Sequence, residues 1–352
     1  MIKISNLKLD FPGRLTLVID KLEIERGKVF TIIGPNGAGK STFLNIIALF
    51  QKPDKGVIEI WGEDILNLKD KLVFRRKISF LFSRPYLLDE TVYNNIALPL
   101  RLRGMRDYKA VDEMLDLFRI GHLKVNKART LSQGEMHRVA LARAFVIKPK
   151  LILLDEPFLS LDQTYKESLI DDLRGVIKLN EITALFVTQG QAEALTLADT
   201  IAVMKDGRIL QQGNPQDIFT IPDSKEVADF IGVETVVEGL IVKKEDNLCF
   251  VKAGDKLLEV VSAYNEGDSV LVCIRPEDVI IAKHIDPSSA RNHFKAKIIE
   301  IKPWGLEYKL NLYSGFNLVA SVTKQSIRNL DLKIEDEVFA IFKATAIHLI
   351  KR

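Results

Sequence analysis

The chain has 352 residues, of which 47% are hydrophobic and 28% are charged, so it is long enough for two domains, one large and one small. Its longest apolar runs fall far short of the roughly 20 residues that span a bilayer, which excludes an integral membrane protein. A net charge of +3 is close to neutral for this length, and no nucleic-acid partner is expected from it.

The beginning of the chain and its cysteines bear on where the protein works. The Met-Ile-Lys start has no signal-peptide pattern. The two cysteines, Cys249 and Cys273, cannot form a disulfide framework, so we expect a reducing cytoplasm. Both are most simply interpreted as small buried apolar residues.

The first predicted elements are two antiparallel strands, in KISNLKLDF and LTLVIDKLEIERG. Between about residues 25 and 205, short β-branched stretches alternate with longer helical patterns; the stretches are VFTIIG, ISFLF, LILLD, ALFVT and TIAVM. This alternation predicts an α/β domain with a largely parallel sheet. The pattern from Thr91 to Ile147 is almost purely helical, which indicates a helical insertion over about residues 85–148.

After Gly232 the pattern changes to short strands and turns, which predicts a small all-β domain. Only QSIRNL in this region has the pattern of a helix. VLVCIRPEDVIIAK begins at Val270 and VFAIFKATAIHLIK at Val338, 68 residues apart, and each follows a turn-like dipeptide. We therefore predict an internal duplication within this β domain.

A glycine-rich string follows the strand VFTII and precedes a helical pattern. The string is GPNGAGKST, comprising Gly34, Pro35, Asn36, Gly37, Ala38, Gly39, Lys40, Ser41 and Thr42. Glycines let the backbone wrap a polyphosphate, Lys40 reaches the β and γ phosphates, and Ser41 ligates Mg²⁺. We therefore expect ATP and Mg²⁺ to bind here, and the alternative is a glycine-rich turn without a ligand.

Two adjacent carboxylates end the apolar run LILLD. Asp155 is placed to hold the magnesium shell, and Glu156 beside it is placed to polarise the attacking water. The alternative is a solvated acidic strand end.

Together with these motifs, LSQGEMHRVALARA resembles the signature of ATP-binding-cassette ATPases, usually met as LSGGQ or LSGGE. The resemblance continues through SLD, which ends in Asp162, and DGRILQQGNPQDIF, and it covers residues 1 to about 230. Phe11 matches the aromatic residue that stacks on adenine in the family, although a core phenylalanine is the alternative. The implied fold is a P-loop NTPase domain with a helical insertion.

Family resemblance implies a working dimer in which each ATP lies between two copies. The segment Ser132, Gln133 and Gly134 of one copy would contact the γ phosphate bound by the other. The helical insertion would contact an integral membrane permease, so that closure and opening of the dimer drive transport.

Four positions depart from the family pattern. Gln189 and Gly190 in VTQGQAEA stand where the family has His and Asp in VTHDQxEA, so the catalytic position carries an amide that cannot titrate near neutral pH. Ser83 stands where a magnesium-contacting glutamine is usual, and Gln133 replaces a glycine. The resemblance then implies a slowed or permease-dependent ATPase, whereas the alternative is a divergent enzyme with full activity.

The C-terminal pieces RPEDVIIAK and SVTKQSIRNLDLKIEDEVFAIFKATAIHLIKR resemble the oligobinding (OB/TOBE-like) domains of importer ATPases, most of all those of molybdate and tungstate importers. Thr323 and Ser326 offer hydroxyls at a short helix start, and Lys324 or Lys343 could add charge for an oxyanion. The alternative is that Thr323 simply caps the helix and Lys343 is solvated.

The resulting prediction is an α/β ATPase domain over residues 1–230 followed by a β domain over residues 235–352. The expected function is to hydrolyse ATP for an importer of molybdate or tungstate, on the cytoplasmic face of the cell membrane. Its expected partners are a second ATPase subunit, a permease and, indirectly, a solute-binding protein. Importers of sulfate, sugars or polyamines and a non-transport cassette protein stay open as alternatives, whereas a stand-alone oxyanion store or sensor would need no ATPase motifs.

Overall fold

The computed structural model describes residues 1–10, 16–159, 161 and 163–352, and for residues 163–165 it describes the backbone alone. Phe11 and Asp162, two of the predicted site residues, lie outside the described residues. The chain divides into two compact units, Met1–Ile218 and Phe219–Arg352, and each has its own hydrophobic core.

The elements of the first unit alternate as the sequence pattern predicts. Its strands are β1 (Ile2–Leu9), β2 (Leu17–Ile24), β3 (Val29–Ile33), β4 (Lys55–Ile60), β5 (Glu63–Asp64), β6 (Ile78–Leu81), β7 (Leu151–Asp155), β8 (Thr183–Thr188), β9 (Thr200–Lys205) and β10 (Arg208–Gly213). Its helices are α1 (Lys40–Ile47), α2 (Lys71–Arg76), α3 (Val92–Arg101), α4 (Tyr108–Leu117), α5 (Gln133–Phe145), α6 (Gln163–Leu179) and α7 (Gln191–Leu197), and α8 (Pro215–Thr220) follows at the boundary.

Two sheets form the first unit. One has the order β2-β1-β4-β5 and is antiparallel, and the other has the order β10-β9-β3-β8-β7-β6. In the second sheet the strands from β9 to β6 run parallel, and β10 pairs antiparallel at the edge. Strands β3, β7 and β8 are buried along their whole length, which is why they are almost continuously apolar. Because these three strands run parallel, their carboxyl ends meet at one edge of the sheet.

The helical insertion predicted from the sequence corresponds to α3, α4 and α5, between β6 and β7. Buried side chains such as Ile96, Val111 and Leu141 join these helices to one core cluster. In the part of the chain that the structure describes, no helix combines the length and the apolar character needed to cross a membrane.

The second unit is mostly β. Its further elements are α9 (Lys225–Phe230), β11 (Thr235–Glu245), β12 (Leu248–Ala253), β13 (Lys256–Val261), β14 (Ser269–Ile274), β15 (Ile280–Ala282), β16 (Asn292–Trp304), β17 (Glu307–Tyr313), β18 (Asn317–Thr323), α10 (Lys324–Asn329), β19 (Glu337–Phe342) and β20 (Ile347–Lys351). Both cysteines are free and buried here, and burial raises the pKa of the Cys273 thiol to about 12.

The two sheets of this unit have matching strand orders. One is β13-β12-β11-β14-β20 and the other is β18-β17-β16-β19-β15. The first half of the unit comprises β11 to β15 and the second half comprises β16 to β20. The last strand of each half, β15 or β20, therefore pairs in the sheet of the other half. Thr235, at the start of β11, accepts a hydrogen bond from the Val319 N–H of β18, and Asn292, at the start of β16, bonds both backbone groups of Glu259 in β13. The duplication stays a prediction, and this symmetry supports it.

Candidate active site

The phosphate loop joins β3 to α1, and two of its glycines are required by the local geometry. A Cβ on Gly34 would lie 2.0 Å from the Met204 carbonyl oxygen, so no other residue fits there. Gly39 caps α1 with a φ of 102°, in the left-handed region that favours glycine. The loop therefore exposes its backbone close to the start of a helix, which suits an anion.

Lys40 is the first residue of α1 and is only 5% exposed. Its ammonium group donates to the carbonyl oxygens of Gly34, at 2.7 Å, and Pro35, at 3.1 Å, and lies 3.6 Å from Glu156 Oε1. Burial lowers the pKa of Lys40, and the Glu156 carboxylate partly offsets this effect. A buried cation whose hydrogen bonds go mainly to neutral carbonyl oxygens is stabilised electrostatically when an anion binds beside it.

Ser41, the second residue of α1, meets Asp155 at the carboxyl end of β7, although the two residues are far apart in sequence. The Ser41 hydroxyl donates to Asp155 Oδ1 at 2.8 Å. Burial raises the pKa of Asp155, which is 9% exposed. The pair presents oxygen ligands of the kind that Mg²⁺ prefers, so the donor set fits that ion.

Glu156 follows β7 with a φ of 46°, in the left-handed region, and its N–H donates to the Val187 carbonyl oxygen at 2.9 Å. A non-glycine residue in this conformation is strained, and such strain is often found at functional sites. The turn directs the Glu156 carboxylate to Gln189, which follows β8.

Gln189 contacts both the phosphate loop and the carboxylate. Its side-chain amide nitrogen lies 2.8 Å from Asn36 Oδ1 and 3.2 Å from Glu156 Oε1, and its backbone N–H donates to Glu156 Oε2 at 3.2 Å. The structure thus brings Asn36, Lys40, Glu156 and Gln189 into one connected cluster at the edge of the sheet. The contact of Asn36 with Gln189 was not anticipated from the sequence.

Other predicted residues lie outside this cluster. Ser132 caps α5, which begins with Gln133 and Gly134, and its hydroxyl donates to Glu135 Oε2 at 2.7 Å. This bond and the backbone N–H of Ser132 lower the pKa of Glu135. Ser83 follows β6, and among the described residues it makes no hydrogen bond to Ser41 or Asp155.

Sequence reasoning did not single out Glu193 or Lys166, which lie beside the cluster. Glu193 is in the first turn of α7, is 5% exposed and pairs with Lys166 of α6. The signal was present in VTQGQAEA, where an acidic residue stands four positions after Gln189 in an otherwise apolar helix face. Its partner could not be found from the sequence alone.

At the C-terminal candidate site the hydroxyls form a helix cap. Thr323 Oγ1 accepts the Ser326 N–H at 3.1 Å and lies 2.9 Å from the Ser326 hydroxyl. Thr323 is exposed, Ser326 is half-buried, and α10 is only six residues long. These contacts favour the interpretation of Thr323 as a cap, and Lys343 is exposed elsewhere, after β19.

Two family models match the sequence: an ABC transporter model over residues 19–159 and a TOBE domain model over residues 288–349. The chain is 38% identical to the molybdate/tungstate import ATP-binding protein WtpC of Pyrococcus horikoshii, over 99% of each chain. It is also 33% identical to the spermidine/putrescine import ATP-binding protein PotA of Fusobacterium nucleatum, over 97% of this chain and 90% of that protein.

A solved ATP-binding cassette, a dimer in a post-hydrolysis state with ADP and phosphate, is 30% identical with a TM-score of 0.56, over 61% of this chain and 99% of that one. These relatives agree with the resemblance noted from the motifs and with the α/β and all-β units of the structure. The chain therefore belongs to the ABC transporter family and is an ABC-type ATPase, with a TOBE domain after its ATP-binding domain.

Proposed function

We propose that this chain is the subunit of an importer that hydrolyses ATP to drive a separate membrane permease. The observation that carries this proposal is the convergence of three strand ends, where Lys40 and Gln189 both contact Glu156 and the neighbouring Asp155 contacts Ser41. Phosphate binding, metal binding and activation of water each need one of these groups.

The phosphate loop would bind the ATP polyphosphate through its backbone N–H groups and Lys40. In the present geometry the Lys40 ammonium is held by two carbonyl oxygens of the loop itself. Phosphate oxygens would replace these neutral acceptors and favour the charged form of Lys40, whose pKa burial lowers. The negative charge of ATP would therefore offset the cost of desolvating this side chain.

Ser41 and Asp155 would hold Mg²⁺ beside the phosphates. When bound by these residues, Mg²⁺ would supply positive charge that offsets the negative charge developing on the phosphates. The 2.8 Å hydrogen bond from the Ser41 hydroxyl to the Asp155 carboxylate supports a ligand shared by the two side chains. Because burial raises the pKa of Asp155, a neighbouring cation would favour its ionised form.

Glu156 would accept the proton of the attacking water while the bond from the γ phosphorus to the ADP oxygen breaks. Gln189 would donate a hydrogen bond to the γ phosphate or to that water. Its amide is neutral at every relevant pH, so it supplies less electrostatic stabilisation than a charged imidazole at the same position.

The Gln189→His variant tests this assignment. We expect it to raise kcat by about tenfold, since a single donor at a developing charge is worth a few kcal/mol at most. Phosphate release measured with purified protein, Mg²⁺ and saturating ATP gives kcat, and nucleotide titration should give a dissociation constant within about twofold of the wild type. Equal turnover in the two proteins would remove the argument that Gln189 slows hydrolysis.

Two copies of the chain would enclose the nucleotides. The solved relative is a dimer with ADP and phosphate, which supports this arrangement. Ser132 caps α5 and Gln133 and Gly134 begin it, so that a hydroxyl and helix-start N–H groups can meet a phosphate bound by the other copy. The Ser132 hydroxyl would have to leave the Glu135 carboxylate to do so.

A groove in the first unit is suited to the permease. It encloses about 370 Å³ between the end of β6, the end of α3 and α5, and Phe82, Tyr86 and Leu102 in its lining are 51%, 78% and 68% exposed. The guanidinium groups of Arg103 and Arg143 donate to backbone carbonyl oxygens, and no described carboxylate pairs with either. An apolar permease segment that carries a carboxylate fits this lining. Binding to such a segment would hold the chain at the cytoplasmic face of the cell membrane.

Molybdate or tungstate is the proposed solute, because the relative named for these ions is 38% identical over the full length, against 33% for the polyamine relative. Reconstituting the chain with its permease and solute-binding protein in vesicles tests the choice. We expect tungstate or molybdate outside the vesicle to stimulate ATP hydrolysis inside, and spermidine to have no effect. The reverse result would assign the chain to a polyamine importer.

A further inference from the structure

Glu193 is a buried carboxylate for which the proposed hydrolysis has no direct use. It lies in the first turn of α7, four residues after Gln189, and is 5% exposed. It accepts a hydrogen bond from the Thr188 hydroxyl and forms an ion pair with the Lys166 ammonium. A carboxylate is rarely this buried unless it is paired, so these two contacts account for its presence there.

The Thr188 hydroxyl connects the Glu193 carboxylate to the backbone of Gly190, the residue that follows Gln189. Thr188 Oγ1 donates to Glu193 and accepts the Gly190 N–H at 2.9 Å, so its hydrogen has one defined direction. Thr188 is itself 1% exposed. The two residues that flank Gln189 are thus both fixed by one hydroxyl group.

Gly190 makes room for this arrangement. A Cβ at position 190 would lie 2.5 Å from Glu193 Cδ and 2.6 Å from Glu193 Oε1, far closer than van der Waals contact allows. The φ of Gly190 is −77°, which any residue adopts, so the present position of the Glu193 side chain, and not backbone conformation, limits what fits at position 190. A side chain at this position would push the Glu193 carboxylate away from Thr188 and Lys166.

Lys166 connects the segment that contains Gln189 to a second helix, α6. It lies near the start of α6, its side chain is 23% exposed, and the segment before α6 is the SLD string that resembles the loop between the two sites of the dimer. Buried ion pairs contribute little net stability, because desolvation offsets their attraction. Their value in a structure is more often the fixing of one geometry.

We propose that Lys166, Glu193 and Thr188 are positioning residues that hold Gln189 against the Glu156 carboxylate and the phosphate loop. The inference rests on the proposed role of Gln189 in ATP hydrolysis. Because Lys166 belongs to α6, any movement of α6 when the dimer closes would change the position of Gln189 through this network. Displacement of a catalytic group by about 1 Å lowers a rate by as much as about a hundredfold, so a loosened network has a measurable effect.

The test compares Thr188→Val, which removes the hydroxyl at similar volume, with Thr188→Ser, which keeps it. We expect Thr188→Val to lower kcat by about tenfold while the ATP dissociation constant stays within about twofold, and Thr188→Ser to restore kcat. In a Gln189→Ala background, followed with radiolabelled ATP in single turnover, Thr188→Val should lower the rate by less than about twofold.

Lys166→Met repeats the test from the other element, so the inference stays testable if Thr188→Val does not fold. Lys178→Met is its matched control, because Lys178 is an exposed lysine on the same helix, and it should leave kcat and ATP affinity unchanged. Effects that are equally large in the Gln189→Ala background, or a fall in ATP affinity that matches the fall in kcat, would overturn the positioning role. Failure of the proposed function would appear separately, as a wild-type protein that hydrolyses no ATP with or without its permease.

Discussion

Replacing Glu156 with glutamine is expected to lower kcat for ATP hydrolysis by about a hundredfold to ten-thousandfold, the usual contribution of a general base. Glutamine keeps the size of the side chain and its hydrogen bond to the Gln189 N–H, but it cannot take a proton from water. Lys40 and Ser41 are unchanged, so the nucleotide still binds. The variant should therefore accumulate ATP in a closed dimer.

Phosphate release measures kcat, and size-exclusion chromatography with ATP and Mg²⁺ measures dimer formation. The matched control is Glu181→Gln, which changes an exposed glutamate in the turn before β8 and should leave both unchanged. If Glu156→Gln retains wild-type turnover, the base is another group, and the strained turn at Glu156 needs a different explanation. If turnover falls but the ATP dimer does not form, binding depends on the charge of Glu156 opposite Lys40.

The part of the site predicted from the sequence is the part that strand order determines. Buried parallel strands have a recognisable apolar pattern, and residues that follow them meet at one sheet edge, so Lys40, Asp155 and Gln189 could be expected together. The left-handed turn at Glu156 has no sequence signal, because only the observed backbone shows it. The present bonds of Lys40 to its own loop were likewise beyond prediction.

Contacts between side chains that are distant in sequence were also missed. The amide of Gln189 meets Asn36 across 153 positions, and Glu193 meets Lys166 between two helices. Such pairs depend on rotamers and on the packing of α6 against α7, neither of which has a periodic pattern. Gly190 was noted as a departure from the family, but its physical reason became visible only with the position of Glu193.

In the β unit the sequence repeat indicated two related halves but not their pairing. β20 pairs with β14, and β15 pairs with β19, so each final strand crosses to the other half. Alternation of apolar residues determines which face of a strand is buried, but it does not determine which strand lies beside it. The exchange follows from long-range closure of the two sheets, which a local pattern does not encode.

Asp172→Ala is expected to destabilise the first unit by about 3–5 kcal/mol, the usual cost of leaving a buried charge without its partner. Asp172 lies on α6, and its carboxylate oxygens are 2.6 Å from Arg138 Nη1 and 3.2 Å from Arg119 Nη2. The side chains of Asp172 and Arg138 are 8% and 10% exposed, and Arg138 also donates to the Ser168 hydroxyl. Because Arg138 belongs to α5, the pair joins α5, the helix that contains most of the LSQGEMHRVALARA string, to α6.

Thermal unfolding followed by circular dichroism measures the loss, which should lower the melting temperature by about 6–20 °C for a unit of this size. Asp171→Ala is the control, because this neighbouring carboxylate is exposed, and it should shift the midpoint by only about 1–2 °C. The double variant Arg138→Met with Asp172→Leu should recover most of the loss, since the cost arises from the uncompensated guanidinium and not from the missing attraction. A double variant as unstable as Asp172→Ala would show instead that the hydrogen bonds of Arg138 are what hold α5 against α6.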